Sequence, residues 1–206
     1  MYARSTTLRG RPEAISAGIA MVRDEVMPAV QAMDGCIGLS MIVDRDTGGA
    51  IVTTAWQDEQ TLRDSELQTG ALRDRAPQVF GARPEVRSWK IAVLHRLRPT
   101  DVGACARVTW TLVQPDLVEQ QLEIFRHQAL PRMEDLHGFC SASLLVDRQT
   151  GRSVLSTTYE SADAMRSTRE AATDLRADIT ERMTSSVLDV AEFEVALAHL
   201  RVPEKV

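Results

Sequence analysis

Apolar side chains recur every three or four residues over two long stretches of the chain, a spacing that predicts two amphipathic helices. They are Ile15, Ile19, Val22, Val26, Val30 and Met33 in the first stretch, and Val118, Leu122, Phe125, Ala129, Met133 and Leu136 in the second. The steps match position for position, so the two predicted helices should bury the same face in the same way.

Proline and glycine mark the same points of both predicted helices. These markers are Pro12, Pro28 and Gly35 in the first stretch, and Pro115, Pro131 and Gly138 in the second. A proline suits the first turn of a helix, and a left-handed glycine commonly ends the last turn. The proline inside each stretch lacks a backbone donor and predicts a kink or a break there.

After each helix, two apolar segments are joined by a short run of Asp, Thr and Gly, which predicts a β-hairpin. The hairpins run from Cys36 to Trp56 and from Phe139 to Tyr159. A second helical stripe and a last apolar segment follow in each half. The predicted order in each half is therefore strand, helix, strand, strand, helix, strand.

The two halves are also similar residue by residue. Residues 4–76 align without a gap with residues 107–179, and after one inserted residue the match resumes and ends on His95 and His199. A unit this long is a whole small domain rather than a solenoid repeat. We predict four parts: a first repeat over 1–97, a linker over 98–103, a second repeat over 104–201 and a tail over 202–206.

The composition is that of an ordinary globular protein and argues against two kinds of partner. The 206 residues are 44% apolar and 26% charged, with a formal net charge of −5. That charge disfavours binding to nucleic acid or to an anionic membrane surface. The first residues have no apolar core of the kind that a signal peptide needs, and the three cysteines form no CxxC motif. We therefore expect a cytoplasmic protein with reduced cysteines.

Three short motifs carry a resemblance to a known family. They are the helix end Pro28-x6-Gly35, the strand Gly38-Leu39-Ser40, and the strand Thr53-Thr54-Ala55-Trp56 with the helix start Asp58-Glu59-Gln60-Thr61-Leu62 behind it. With these motifs the chain resembles the antibiotic-biosynthesis-monooxygenase-like domains of the dimeric α/β-barrel superfamily. The resemblance implies an α+β fold in which tandem ferredoxin-like βαββαβ repeats form an intramolecular pseudo-dimeric α/β barrel. It also implies a ligand pocket between helices and sheet in each half, and a monomeric chain for which further oligomerisation stays open.

The sequence contains no motif for a metal or an organic cofactor. Its four histidines form no HExxH, and there is no GxGxxG, P-loop or GxSxG. We therefore expect no metal and no cofactor. By the resemblance, a haem-degrading relative would carry a Trp in the second helix and a His further along it. This chain has Ser65, Asp74, Thr168 and Ala177 at those places, which disfavours haem.

His95 and His199 are the candidate catalytic residues, because both halves have a histidine at the end of the last strand. An imidazole beside an aromatic pocket can accept a proton near neutral pH. The alternative is a strand-end histidine that bonds a backbone carbonyl or meets water. A histidine without a visible partner favours that alternative.

Arg4 and Arg107 are candidate substrate-binding residues on the first strand of each half. A guanidinium that points into a cavity can bind a phenolate or a carboxylate through its planar fork. An ion pair with carboxylates of the facing half is an equal alternative. Aromatic residues also recur at two matched positions, although core packing explains such residues more often than a substrate platform does. These candidates are Trp56, Tyr159, Trp89 and Phe193.

The resemblance implies a cofactor-independent oxygenase that acts on a small aromatic substrate. One of the histidines would then be the base that forms a phenolate, and one of the arginines would stabilise it. The competing hypothesis is a non-catalytic, small-molecule-binding or stress-related protein that uses the same pocket. In a third hypothesis, one half of the chain is only a scaffold for the other. Fold alone does not choose between them.

Overall fold

The computed structural model describes residues 1–100, 103–200 and 203–206, with Leu200 described by its backbone alone. Two residues of the predicted linker, 101 and 102, and the predicted junction of second repeat and tail, 201 and 202, lie outside the described residues. The elements of the first half are β1 (Tyr2–Arg9), α1 (Ile15–Met21, Val22–Val26 and Met27–Gln31), β2 (Cys36–Asp44), β3 (Gly49–Trp56), α2 (Glu59–Asp64), α3 (Glu66–Arg73), α4 (Ala76–Phe80) and β4 (Glu85–Arg96).

The second half has the same order, with one long helix where the first half has two short ones. Its elements are β5 (Cys105–Leu112), α5 (Val118–Ile124, Phe125–Ala129 and Leu130–Glu134), β6 (Phe139–Asp147), β7 (Arg152–Tyr159), α6 (Ala162–Ser167), α7 (Arg169–Arg182) and β8 (Ser186–Leu200). Gly35 and Gly138, the predicted helix ends, have the positive φ values of 74° and 69° that suit them to that position.

Helices α1 and α5 pass through their internal prolines without a break. The middle segment of each is a π-helical turn, in which the Met27 amide bonds the Val22 carbonyl and the Leu130 amide bonds the Phe125 carbonyl. The proline follows as the next residue in both helices. A π turn is wider than an α turn, so it absorbs the proline ring and its missing donor. The predicted kink or break is therefore a local widening that occurs twice.

The strands of each half pair in antiparallel fashion. Strand β1 lies between β3 and β4, and β2 pairs with β3. Likewise β5 lies between β7 and β8, and β6 pairs with β7. The complete order is β1-β3-β2-β8-β5-β7-β6-β4, which closes as a barrel. This topology confirms the predicted α+β fold class.

The chain divides into two compact units whose boundaries fall inside β4 and β8. Among the described residues, the first unit comprises 1–90 and 195–200, and the second comprises 91–100, 103–194 and 203–206. In each unit the predicted helical stripe packs on the apolar side chains of the sheet. Leu39 and Met41 of β2 are fully buried in this way, as is Ala142 of β6. The stripes were therefore predicted correctly, because helical periodicity places them all on one side.

Candidate functional site

The second unit contains a cavity of about 90 Å³ between its sheet and its helices. Strands β5, β6 and β7 line one side, and α5 and α7 line the other. Most of the lining is apolar and includes Phe125, Leu144, Leu155, Leu175 and Ile179. Two groups of polar residues interrupt it, one around an arginine of β5 and one around a glutamine of α5.

Arg107 is the centre of the first group and is only 5% exposed. Its Nε and one terminal nitrogen donate to Glu192 Oε1 at 3.1 and 2.9 Å, since β5 and β8 place these two residues opposite each other. The same terminal nitrogen donates to the Met165 carbonyl at 2.8 Å, and the other donates to the Tyr159 hydroxyl at 3.3 Å. Four hydrogen bonds thus hold the guanidinium against the cavity wall.

Glu192 is shared between two arginines. Its second oxygen accepts a hydrogen bond from Arg169 at 2.7 Å. Burial opposes ionisation of Glu192, but its hydrogen bonds to Arg169 and Arg107 outweigh burial and lower the pKa of the carboxyl. Glu192 is therefore ionised at neutral pH, and one negative charge serves two positive ones.

Arg176 brings a further positive charge to the same cavity. Burial, followed by the charge of Arg107, lowers the pKa of Arg176 below its usual value. Its guanidinium donates to the Thr173 hydroxyl at 3.1 Å, and no carboxylate among the described residues pairs with it. The arginine end of the cavity therefore carries more positive than negative charge, which suits an anionic ligand.

Tyr159 lies beside Arg107 and is 1% exposed. Burial, as the largest cause, raises the pKa of this phenol, while Arg107 and a hydrogen bond with Thr168 act in the opposite direction. Tyr159 therefore stays neutral near pH 7. A neutral phenol on the wall of a cavity can donate a hydrogen bond to a bound oxygen atom.

The second polar group joins α5 to the sheet. Gln121 Nε2 donates to the Ser153 hydroxyl at 3.4 Å, and Ser153 shares a hydrogen bond of 2.6 Å with the Thr111 hydroxyl. All three residues line the cavity. Gln121 is 4% exposed, and its Oε1 has no hydrogen-bond partner among the described residues.

The first unit contains a smaller cavity, of about 60 Å³, next to Arg4. Arg4 donates to the Ser65 and Thr69 hydroxyls at 2.8 and 2.9 Å and to the Leu62 carbonyl at 2.6 Å, and it pairs with Glu66 at 2.7 Å. Burial lowers the pKa of Arg4, and the charge of Glu66 acts against that shift.

Arg73 lines this smaller cavity and occupies the position that Arg176 has in the second half. Unlike Arg176, it forms an ion pair with Glu66. The two halves thus differ in where the carboxylate comes from, since it lies on a helix in the first unit and on strand β8 in the second. One predicted alternative is corrected here, because Arg4 and Arg107 pair with a carboxylate of their own unit instead of the facing half.

The other predicted substrate-binding residues are placed as follows. Arg4, Arg107 and Tyr159 line the two cavities. Trp56 is fully buried and donates to the Thr54 hydroxyl at 3.0 Å. Phe193 and Trp89 are buried outside the linings of these cavities. The indole nitrogen of Trp89 donates a hydrogen bond to the Ser5 hydroxyl at 2.8 Å.

Neither predicted catalytic histidine lines the two cavities. His95 stacks on Phe139 with the ring centroids 6.4 Å apart. Its Nε2 lies 3.0 Å from Glu134 and its Nδ1 lies 2.8 Å from Glu204, with 16% of the side chain exposed. His199 is half-buried on β8. A catalytic role for either residue stays a prediction.

The sequence analysis did not select Arg176 or Gln121, the two cavity residues that carry the unpaired charge and the unpaired acceptor. Arg176 left a signal, because Leu72-Arg73 and Leu175-Arg176 match between the halves. Gln121 left a weaker one, since it is a polar residue one position before Leu122 of the apolar stripe. In the described part of the chain, no three metal-ligating side chains converge, and no helix has the length and apolar character needed to cross a membrane.

The fold is that of solved structures with low sequence identity. FN1347 from Fusobacterium nucleatum subsp. nucleatum aligns with a TM-score of 0.72 and 13% identity over 97% of this chain and 94% of that one. An anthrone oxidase-like protein aligns at 0.67 and 13% over 97% and 93%. The heme-degrading enzyme LmHde from Listeria monocytogenes aligns at 0.51 and 8% over 94% and 99%. The likeness therefore shows a dimeric α/β-barrel fold contained in one chain, a fold also found in an uncharacterized ferredoxin fold protein from Listeria monocytogenes that is related to antibiotic biosynthesis monooxygenases.

Relatives at high identity come from Mycobacterium tuberculosis (strain ATCC 25618 / H37Rv). Uncharacterized protein Rv2557 is 49% identical over 206 residues, which cover 100% of this chain and 92% of that protein. Uncharacterized protein Rv2558 is 48% identical over 207 residues, which cover 100% and 88%. The chain belongs to the family of these two proteins. No protein-family model matches it.

Proposed function

We propose that the cavity of the second unit binds a small aromatic molecule with an acidic hydroxyl, and that the protein oxygenates this molecule without a cofactor. The observation that carries the proposal is Arg176, a cavity guanidinium without a carboxylate partner among the described residues, next to Arg107. A bound phenolate or enolate would supply the missing negative charge. Both arginines present planar donors that match such an oxygen.

The apolar lining makes these charges effective. Electrostatic attraction is several times stronger in a poorly hydrated cavity than in water. Arg107 is also held in place by Glu192 and Tyr159, so it needs little rearrangement when an anion forms. The arginines would therefore lower the pKa of a bound hydroxyl, and the substrate would ionise without a strong base.

The ionised ring is electron-rich and reacts with dioxygen, which is the co-reactant. The anthrone oxidase-like neighbour suggests the reaction class. Over the whole reaction, the ring CH2 of the keto form, which is conjugated with the oxygen that ionises, loses two hydrogens and gains one oxygen atom of O2. One of these hydrogens is the proton released on ionisation, and the second oxygen atom leaves with both hydrogens as water. The carbon is oxidised by four electrons, and these reduce one O2.

The size of the cavity limits the binding of the aromatic ring, which precedes any reaction. A volume of about 90 Å³ is smaller than the roughly 150 Å³ cavity that accommodates benzene in an engineered protein core. A ring therefore enters only when side chains move. Met133 and Met183 line the cavity, and methionine is unbranched and adapts easily to a new shape.

A second candidate function is binding without catalysis. No histidine, aspartate or glutamate is among the residues that line the cavity, so it offers no general base. Haem does not fit either cavity, since neither lining contains a histidine or a cysteine and volumes of about 90 and 60 Å³ are far too small for its macrocycle. Cys36, Cys105 and Cys140 form no disulfide among the described residues, which supports the expected cytoplasmic location; that location stays a prediction.

The proposal is tested first by binding. Benzoate, a small aromatic anion, should bind the native chain in calorimetry, and Arg176→Met should weaken binding roughly tenfold or more through loss of a charged hydrogen bond. Arg73→Met is the matched control and should leave affinity unchanged, because Arg73 lines the cavity of the other unit and already forms an ion pair with Glu66. Equal effects of the two variants, or no binding by the native chain, would contradict the proposal.

Catalysis is tested separately with an oxygen electrode and a panel of small phenols, with the three-ring anthrone as a larger probe. Oxygen consumption that depends on Arg176 and needs no added metal or flavin would support the oxygenase. Benzoate binding without oxygen consumption from anthrone or from a panel of phenols would favour the binding protein.

A further inference from the structure

The two cavities differ at four matched positions. In the first unit these positions hold Leu8, Gly18, Ala50 and Phe80, and in the second they hold Thr111, Gln121, Ser153 and Met183. An apolar set in one half therefore corresponds to three polar residues and a flexible methionine in the other. The difference lies in the residues that surround the ligand space, because most of these positions line a cavity.

In the first unit an aromatic ring fills this space. Phe80 is 1% exposed and lies against the backbone of Gly18, so closely that a β-carbon at position 18 would overlap the ring. Glycine is therefore required there by close approach of the ring. Among the described residues, none of the four matched positions of this half carries a polar side chain with which a ligand could bond.

In the second unit the corresponding space contains an unpaired acceptor. Gln121 uses its Nε2 to reach Ser153, which in turn bonds Thr111. Gln121 lines the cavity, and its Oε1 is buried without a hydrogen-bond partner among the described residues. A buried acceptor without a donor destabilises the fold, so a fold that retains one needs a compensating interaction from elsewhere.

We propose that Gln121 Oε1 accepts a hydrogen bond from a second polar group of the ligand, a hydroxyl separate from the oxygen that faces Arg107 and Arg176. The inference rests on the proposed function and narrows its substrate class to hydroxylated aromatic anions. It also assigns the preference for hydroxylated ligands to the second unit, since Phe80 occupies the matching place in the first. The remaining groups at this subsite, Ser153 and Thr111, orient the Gln121 amide through their chain of hydrogen bonds.

The experiment compares ligands that differ by one hydroxyl. Benzoate, 3-hydroxybenzoate and 4-hydroxybenzoate are titrated into the native chain, Gln121→Met and the control Gln120→Met, whose glutamine is exposed on the same helix. At least one hydroxybenzoate should bind the native chain about tenfold tighter than benzoate. Gln121→Met should abolish this preference and leave benzoate affinity within about twofold. Its melting temperature should not fall, because methionine removes the unpaired oxygen.

The outcomes separate this inference from the proposed function. If benzoate binds and the hydroxybenzoates show no preference, or the preference survives in Gln121→Met, the subsite is wrong and the arginine site stands. If Gln121→Met weakens benzoate as strongly as the hydroxybenzoates, the residue acts through packing and the inference is also overturned. If no benzoate binds the native chain, both the inference and the proposed function fail.

Discussion

Arg107 contacts Tyr159 in two ways at once: it donates a hydrogen bond of 3.3 Å to the hydroxyl, and its guanidinium lies 5.4 Å from the ring centroid. The first half has Trp56 at the position of Tyr159, and its indole nitrogen is directed to Thr54. Arg4 therefore bonds helix hydroxyls instead. Only the second cavity thus has a phenol beside its buried arginine, which makes Tyr159 a measurable reporter of that site.

The first prediction concerns the ionisation of Tyr159. Because burial raises its pKa, Tyr159 should ionise above the usual range of tyrosine in an ultraviolet titration of the folded chain. The neutral form is favoured in the fold, so this group's contribution to stability is complete below the unfolded pKa of about 10 and declines as pH rises above it. Tyr159→Phe should flatten that alkaline decline. Tyr2→Phe, which replaces the half-buried tyrosine of β1, is the control, and equal profiles for both variants would contradict the assignment.

The second prediction concerns Glu192. Glu192→Gln leaves Arg107 and Arg169 without their carboxylate, so unfolding free energy at pH 7 should fall by about 1–3 kcal/mol. Benzoate affinity should rise in the same variant, because the cavity becomes more positive.

The pH dependence of the same variant has a definite sign. A carboxyl whose pKa is lowered in the fold stabilises it above the unfolded pKa, and that contribution is lost as pH falls through the folded pKa. The native chain should therefore lose stability below about pH 4.5 more steeply than Glu192→Gln. Denaturant melts across pH 3–7 would check this, with the exposed Glu170→Gln as control. If the native chain and Glu192→Gln lose stability equally as the pH falls, the predicted contribution of the Glu192 carboxylate is excluded.

The third prediction concerns His95, which lies between Glu134 and Glu204. Residues Leu94 and Lys205 bond each other's backbone next to this contact. His95→Ala should loosen residues 203–206 and speed hydrogen exchange at Lys205, while benzoate affinity stays the same. The exposed His127→Ala should do neither. If His95→Ala or His199→Ala instead abolishes oxygen consumption with unchanged benzoate affinity and exchange, the predicted catalytic role would be supported.

The fourth prediction concerns association. One chain carries both halves, and the strand order closes without a second chain. We therefore propose that the protein is a monomer, although the outer surface leaves further association open. Light scattering at low micromolar concentration should give a mass near 22.8 kDa. A dimer that persists on dilution would show that an additional apolar surface is buried between chains.

The sequence predicted the elements and the fold class well because their signals are local. Helical and alternating periodicity depend on residues a few positions apart, and the matched stripes of Val22 and Phe125 pack as expected. The internal prolines were a partial exception. Pro28 and Pro131 are local signals of disruption, yet a π turn before each keeps the helix intact.

The candidate site was only half predictable. Arg4, Arg107 and Tyr159 were found because they recur on matched strands, and all three line a cavity. His95 recurs equally well, yet its ring lies between two carboxylates outside both linings. Recurrence shows that a position matters to the repeated fold, and it does not show on which side of the sheet a strand-end ring lies.

The sequence by itself determined the order of the elements, the two matching halves and the buried stripes, since these follow from spacing along the chain. Only the tertiary structure decided which charges remain unpaired. Arg107 meets Glu192, 85 residues away, because the register of β5 against β8 places them opposite each other. The same packing gives Arg176 no carboxylate among the described residues and leaves Gln121 Oε1 without a donor. Pairing of buried polar groups depends on distances between elements, and those distances are set only when the elements pack.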